Sequence, residues 1–327
     1  CLFQTKVTMN KYLCSVALCI AFASHSPGEW LYAGGENLPS NYPYAHKIGK
    51  DDTGRNDSNM CWAATSSNLI EFWQQRYQKQ TGLPLPSGVP GGTDSSKRGS
   101  VVFDTFVKAW PNTGLGVEEG LHWYFSGYYH QAETIAPSLP GGYWAEYCTT
   151  LGYQADYDSL HKKDYVDFTL ISYPTNSDYY SYDKELNIKL FSNAVKAGLE
   201  AGSLIALGVT DLATMGHYIT LYGADFDKDG IIRSVLIQDN NYSKPPTECD
   251  VVYNTATATV GSDDGKEGSL PLKEIEYTKI TLPDLLSGYG DRQLTSIEYL
   301  NLQIIPEPGT AVLSLLSLTI AVLRRRR

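Results

Sequence analysis

Cys61 sits inside the stretch NDSNMCWAATSSNLIEFWQQRY, residues 56–77, with polar residues ahead of it and an amphipathic run behind. The pattern puts a thiol on the first turn of a helix. Unpaired N–H groups and the helix dipole favour negative charge there, so the thiol loses its proton more easily. The thiolate is the nucleophile, and a backbone N–H at the helix start can help bind the oxyanion that forms on an attacked carbonyl. A structural cysteine, common in cores, is the competing reading of this stretch alone.

A nucleophilic thiol needs a base, commonly histidine, and a group to orient it. The histidines are His25, His46, His122, His130, His161 and His217. Five lie in polar or aromatic contexts that suit surface or packing roles. His217 follows Gly216 and opens the apolar run HYITLYGAD, 156 residues after Cys61, close to the spacing of papain-like enzymes. A glycine at that point lets a backbone or a substrate approach closely. Asp239 ends the next run, IIRSVLIQD, 22 residues after His217. If the two runs form a hairpin, their far ends meet and the carboxylate can reach the imidazole.

The elements that must position these residues fall into two halves. Cys61–Lys79 reads as a helix, with Leu69, Ile70, Phe72, Trp73 and Tyr77 near helical spacing and Asp57, Ser58 and Asn59 as candidate N-caps. Residues 30–58 and 81–100 are loop-rich, 101–182 mix short helices with aromatic loops, and Leu186–Leu199 reads as a second long helix. After it come SLIALGVT, HYITLYGAD, IIRSVLIQD, DVVYNT, PLKEIEYTKI and SIEYLNLQII, β-branched or alternating runs separated by turn signals. The layout is α+β, helical first and antiparallel β second. Asp225, Asp227 and Asp229 before Gly230 resemble the start of a calcium loop. Its twelfth position is Leu236 rather than glutamate, and Asp229-Gly230 more simply makes a hairpin turn. There is no HExxH or paired-cysteine zinc motif, and the sequence calls for no cofactor and no metal.

The 327 residues carry a formal net charge of -10, which disfavours a nucleic-acid partner. Both ends read as address labels. Met9–Ala23, with one lysine, an apolar stretch and Ala21-Phe22-Ala23, fits a secretory signal peptide over residues 1–23, in which 1–8 read as a mis-assigned start. PEPGTAVLSLLSLTIAVLRRRR, residues 306–327, is a chain break, a short apolar run and four arginines. It resembles the PEP-CTERM sorting signal of Gram-negative envelope proteins, which an exosortase handles; a plain membrane anchor is the alternative. Residues 24–305 are then the working domain, exported to the envelope or beyond, with membrane contact only through the terminal segments. Six of the 26 basic residues and one of the 36 acidic ones lie in the two labels, so the span between them carries -15. It keeps Cys61, Cys148 and Cys249, an odd count that leaves at least one thiol unpaired. A Cys148–Cys249 pair would leave Cys61 as that thiol.

Three blocks carry a family resemblance: Asn59-Met60-Cys61-Trp62-Ala63-Ala64-Thr65, Gly216-His217-Tyr218-Ile219-Thr220-Leu221-Tyr222-Gly223-Ala224-Asp225-Phe226-Asp227, and Gln238-Asp239-Asn240-Asn241. Together they resemble the streptococcal immunoglobulin G-degrading cysteine endopeptidases, a family with a papain-like fold. The resemblance implies Cys61 as nucleophile, His217 as base and Asp239 as orienting acid, acting on a protein substrate such as an immunoglobulin. It also implies an oxyanion-binding lysine shortly before the cysteine. Lys50 is favoured for that place, with one residue inserted after Gly54, because Gly54-Arg55 then matches the family's glycine–basic pair; Lys47 is its rival. The sequence departs from the family at Trp62, where the family has glycine, and at Asn241, where it has a second aspartate; Asn241 can support the base without adding charge. A recognition protein on a spent scaffold, and a cysteine transferase or isopeptidase, remain as alternatives.

Overall fold

The computed structural model describes residues 30–304 except 36, 39, 95–97, 130–134, 154–159, 166–183, 211–215, 261–272 and 284–291. Both terminal labels, His25 and His130 lie outside the described residues. In chain order the elements are β1 (Trp30–Tyr32), α1 (Cys61–Thr81), α2 (Val101–Ala109), α3 (Val117–Ser126), α4 (Ala145–Thr150), β2 (His161–Tyr165) and α5 (Lys184–Glu200). There follow β3 (Ile205–Thr210), β4 (Gly216–Phe226), β5 (Ile232–Gln238), β6 (Thr247–Asp250), β7 (Val252–Val260), β8 (Lys273–Leu282) and β9 (Arg292–Leu300). The α+β layout expected from the runs is the one observed.

Helix α1 is the central element. Its first four turns are buried almost all round, which requires partners on every side. Small residues Ala63, Ala64, Ser66 and Ser67 fill its first turns, and the two serines return their hydroxyls to the carbonyls of Trp62 and Ala63 at 2.8 and 2.7 Å. Farther along, Trp73 stacks on Tyr77 and meets Phe125, Trp144 and Tyr147 edge-on. The helix stops at Gly82, whose φ of 73° is left-handed and whose N–H closes on the Gln78 carbonyl at 2.9 Å.

The described strands form one antiparallel sheet in the order β6-β5-β4-β3-β9-β8-β7, with β1 added to β4 and β2 to β9. Thr220 pairs with both Ala206 and Gln238, and Ala206 pairs with Glu298, so these four side chains share one face. Helix α1 covers that face, since Asn68 reaches Thr220 and Gln238 there. On the other face lie Ile205, Leu221 and Tyr299, and α5 packs on it through Gly198, whose Cα side lies close against Ile205 and Tyr299. At Gly223 the missing side chain lets β1 approach β4: a Cβ there would sit 2.9 Å from the Leu31 carbonyl oxygen.

Several boundaries move. The last strand begins at Arg292 rather than Ser296 and ends at Leu300, because its N-terminal half pairs with β3 and β8. Residues 30–32, expected as loop, form a strand by borrowing the edge that β4 offers beyond β3. The expected caps do not cap. Met60 holds the N-cap position without a side-chain bond, and Asp57 turns instead to the N–H groups of Ile48 and Gly49 and to Arg98. None of Cys61, Cys148 and Cys249 is in a disulfide.

Candidate active site

Cys61 is the first residue of α1, and that helix start carries neither a side-chain cap nor an acidic residue in its first turn. The positive end of the helix is therefore left to the thiol. Burial by itself would raise the thiol's pKa. A hydrogen bond to His217 and the charge of that ring outweigh it, helped by the Tyr218 backbone N–H and the charge of Lys47, so the thiol is held below its ordinary value.

His217 is the second residue of β4 and Asp239 the residue just after β5. The hairpin between them turns at Asp227–Gly230, where Asp227 Oδ1 accepts from the N–H groups of Asp229 and Ile231. The far ends of the two strands thus meet. His217 Nε2 lies 2.8 Å from Asp239 Oδ1, and both side chains are largely buried. This engages Nε2 and leaves Nδ1 for the thiol. Burial would lower the imidazole's pKa, but the bonds to Asp239 and Cys61 raise it above the ordinary value. Opposite shifts on thiol and ring favour a thiolate–imidazolium pair.

Asn241 sits on the same nitrogen. Its backbone N–H donates to Asp239 Oδ1 at 2.9 Å, and its amide Nδ2 stands 3.3 Å from His217 Nε2. An Nε2 that carries a proton cannot accept from that amide, so with a protonated ring the amide must present Oδ1 instead. Asp239 keeps its second oxygen, Oδ2, buried without a partner.

The two lysines separate. Lys47 is half-buried, donates from Nζ to the Ser58 carbonyl at 2.8 Å, and is the lysine whose charge acts on Cys61. Lys50 is exposed and bridges to Asn56 in the loop beyond. That loop is anchored by Arg98, which bonds Asp57 at 2.7 Å and Asp51 at 2.8 Å, with Asp104 at 3.4 Å. The guanidinium bond to Asp51 holds that carboxyl far below the usual carboxylate range.

Asn240, between Asp239 and Asn241, was not singled out from the sequence. It is fully buried, and its Nδ2 donates toward the Cys61 carbonyl (3.0 Å), Thr65 Oγ1 (3.0 Å) and the Tyr218 carbonyl (2.8 Å). Its own carbonyl accepts the Lys47 N–H at 2.7 Å. Only its place inside a block with chemistry on both sides hinted at it. Below it a buried polar seam continues through Asn68, Thr220, Tyr222 and Gln238 to the Pro43 and Ala45 backbone. Beside Asp239 a cavity of about 410 Å³ opens between Tyr242, Lys244, Cys249 and Pro283.

Comparison with known proteins finds two similarities. The family model described as Mac 1 matches residues 180–247, a span that holds His217, Asp239 and Asn241 but not Cys61. An IgM protease of Streptococcus suis (strain P1/7) is 23% identical over 239 residues, covering 63% of this chain. The match takes in 19% of that protein, so the chain spans about a fifth of the curated relative's length.

Proposed function

We propose that the protein is a cysteine endopeptidase that works outside the cytoplasm on a protein substrate, with immunoglobulins the first class to try. The observation that carries this reading is the chain Cys61–His217–Asp239, with its 2.8 Å link from ring to carboxylate. Its support beyond geometry is the resemblance of the His217 and Asp239 region to the Mac 1 family and the similarity to a streptococcal protein named as an IgM protease.

In this mechanism the thiolate of Cys61 attacks the carbonyl carbon of the scissile peptide, and the C=O π electrons move onto oxygen. The helix-start N–H groups and Lys47 stabilise that oxyanion. A lysine acts here as a compact point charge and needs no planar geometry. Lys47 takes this role rather than Lys50, which lies exposed in the loop beyond. As the C–N bond breaks, His217 gives its proton to the leaving amine, and a thioester remains on Cys61. Neutral His217 then takes a proton from water, the hydroxide equivalent attacks the thioester, and the acid product leaves as the thiolate–imidazolium pair re-forms. Asp239 holds the ring in one orientation throughout. Asn241 supports Asp239 and the ring edge. The papain-like topology and the export labels belong to this same reading.

The test is a peptide-based electrophile directed at thiols, incubated with the full chain and followed by mass spectrometry. Expected is one label per chain on Cys61, lost in His217→Ala. A recognition protein on a spent scaffold would leave Cys61 unlabelled at rates above those of a free thiol. A transferase would label at Cys61 but pass the acyl group to an amine acceptor rather than to water.

A further inference from the structure

We infer that Asn240 is the positioning residue that holds the nucleophile helix, the base strand and the Lys47 segment in register, its buried amide tying the carbonyls of Cys61 and Tyr218 together while its own carbonyl carries Lys47. The inference rests on the endopeptidase reading of the same site.

The ties reach α1, β4 and the Lys47 segment. The Cys61 carbonyl belongs to the first turn of α1 and Thr65 to the second, so two of the three contacts fix the start of that helix. The Tyr218 carbonyl belongs to β4, one residue past the base. The Asn240 backbone lies two residues past the end of β5 and stands between the residue that orients the ring and the residue that supports it. Through its carbonyl it also sets where Lys47 enters the site. The contacting pairs lie 175 to 193 residues apart or span a hairpin, so no local element could fix these distances.

The polarity of the amide is decisive. Nδ2 has two hydrogens and faces three oxygens, so its end of the side chain must be the donor. Oδ1 is buried with no partner. The Nδ2 end joins the start of α1 to β4. Replacing the NH₂ by a carboxylate oxygen would set oxygen against oxygen at the Cys61 and Tyr218 carbonyls, which can only accept. It would also place negative charge beside the thiolate.

The experiment measures the rate constant for iodoacetamide alkylation of Cys61 against pH, on the full chain, by mass spectrometry of the Cys61 peptide. No peptide substrate is needed. The groups that act on that thiol are His217 and Lys47, with Asp239 behind the ring and Glu298 and Glu118 behind Tyr218. Asn240→Asp is expected to move the alkylation midpoint up by at least about one pH unit, a tenfold loss of thiolate on the acid limb. Asn240→Ala is expected to move it up less, since it loosens the pair without adding charge. Asn240→Ser keeps a short donor and is expected to fall between Asn240→Ala and the parent. It also stands in if the other two variants fail to melt cooperatively.

His217→Ala separates the two levels of the claim. If it leaves the Cys61 profile unchanged, the thiol–imidazole pair is absent and the endopeptidase reading falls. If it moves the profile up while the Asn240 variants superimpose on the parent, that reading stands and Asn240 is overturned as a positioning residue. A uniform fall in melting temperature with no change in the profile would also overturn it, because it would make Asn240 a packing residue only.

Discussion

Lys47 and Lys50 are three residues apart, and the sequence offered both as the lysine before the nucleophile. The family resemblance favours Lys50, because Gly54-Arg55 matches the family's glycine–basic pair. The proposal of Lys47 instead rests on long-range anchors: Arg98 fixes Asp51 and Asp57, Asn240 fixes the Lys47 backbone, and neither anchor is visible from the loop itself. The same cause took Asp57 away from the helix cap. Cys61, His217 and Asp239 were legible because each sits at the end of a strongly patterned element. Lys47→Ala is expected to lower kcat by about 10- to 100-fold, in the range of losing one oxyanion donor. Lys50→Ala should stay within about twofold, as an exposed charge away from the reacting atoms would. Equal losses from both would contradict the assignment. Asp239→Asn is expected to lower kcat by about a hundredfold or more. Asn241→Ala should cost about tenfold or less. The reverse order would move the orienting role to Asn241.

At the scale of elements, α1 was readable from its apolar spacing, but its polar residues were not. Asn68 and Glu71 fall on buried faces, Asn68 against the sheet and Glu71 against Ser100, the side-chain cap of α2. Periodicity marks which positions face inward when they are apolar; it is silent where an inward position carries a polar group matched by a distant partner. Short strands β1 and β2 were missed for a related reason, since each exists only by pairing with a long strand far along the chain. Glu71 gives a stability prediction with a definite sign. Burial raises its pKa to about 8, against the partial relief of Ser100 and the Val102 N–H. The folded chain thus binds the extra proton between the ordinary carboxylate range and about 8, and this contribution to stability is lost as pH rises through that window. Glu71→Gln resembles the protonated form. Its urea midpoint should gain on the parent from pH 5 to pH 8; an unchanged difference at the two pH values would contradict a protonated Glu71.

For the molecule as a whole, the order of runs was enough to place helices first and an antiparallel sheet second. It was not enough to show that α1 and α5 lie on opposite faces of that sheet, which follows from register. The odd cysteine count pointed to a free thiol, and a Cys148–Cys249 bridge would have been one way to reach it. Instead both are free thiols: Cys148 is buried in α4 and pushed up to about 12 by burial, and Cys249 lies on β6 at one end of the sheet order. A reducing agent should therefore leave the melting temperature unchanged. A fall on reduction would require a disulfide that these positions do not make. Cys148 should alkylate only after unfolding, and the half-buried Cys249 is told apart from Cys61 by its own peptide.

In the proposed reaction Cys61, activated by His217 whose ring Asp239 orients, cuts peptide bonds. Its most direct test is to incubate the full chain, and separately Cys61→Ala, with a random-sequence peptide library and with IgM and IgG, and to sequence the new N-termini by mass spectrometry. The account predicts new termini from the parent protein in at least one of these substrates and none from Cys61→Ala with its melting curve intact. The same termini from both proteins, or none from the parent while its Cys61 takes up the electrophile, would contradict it.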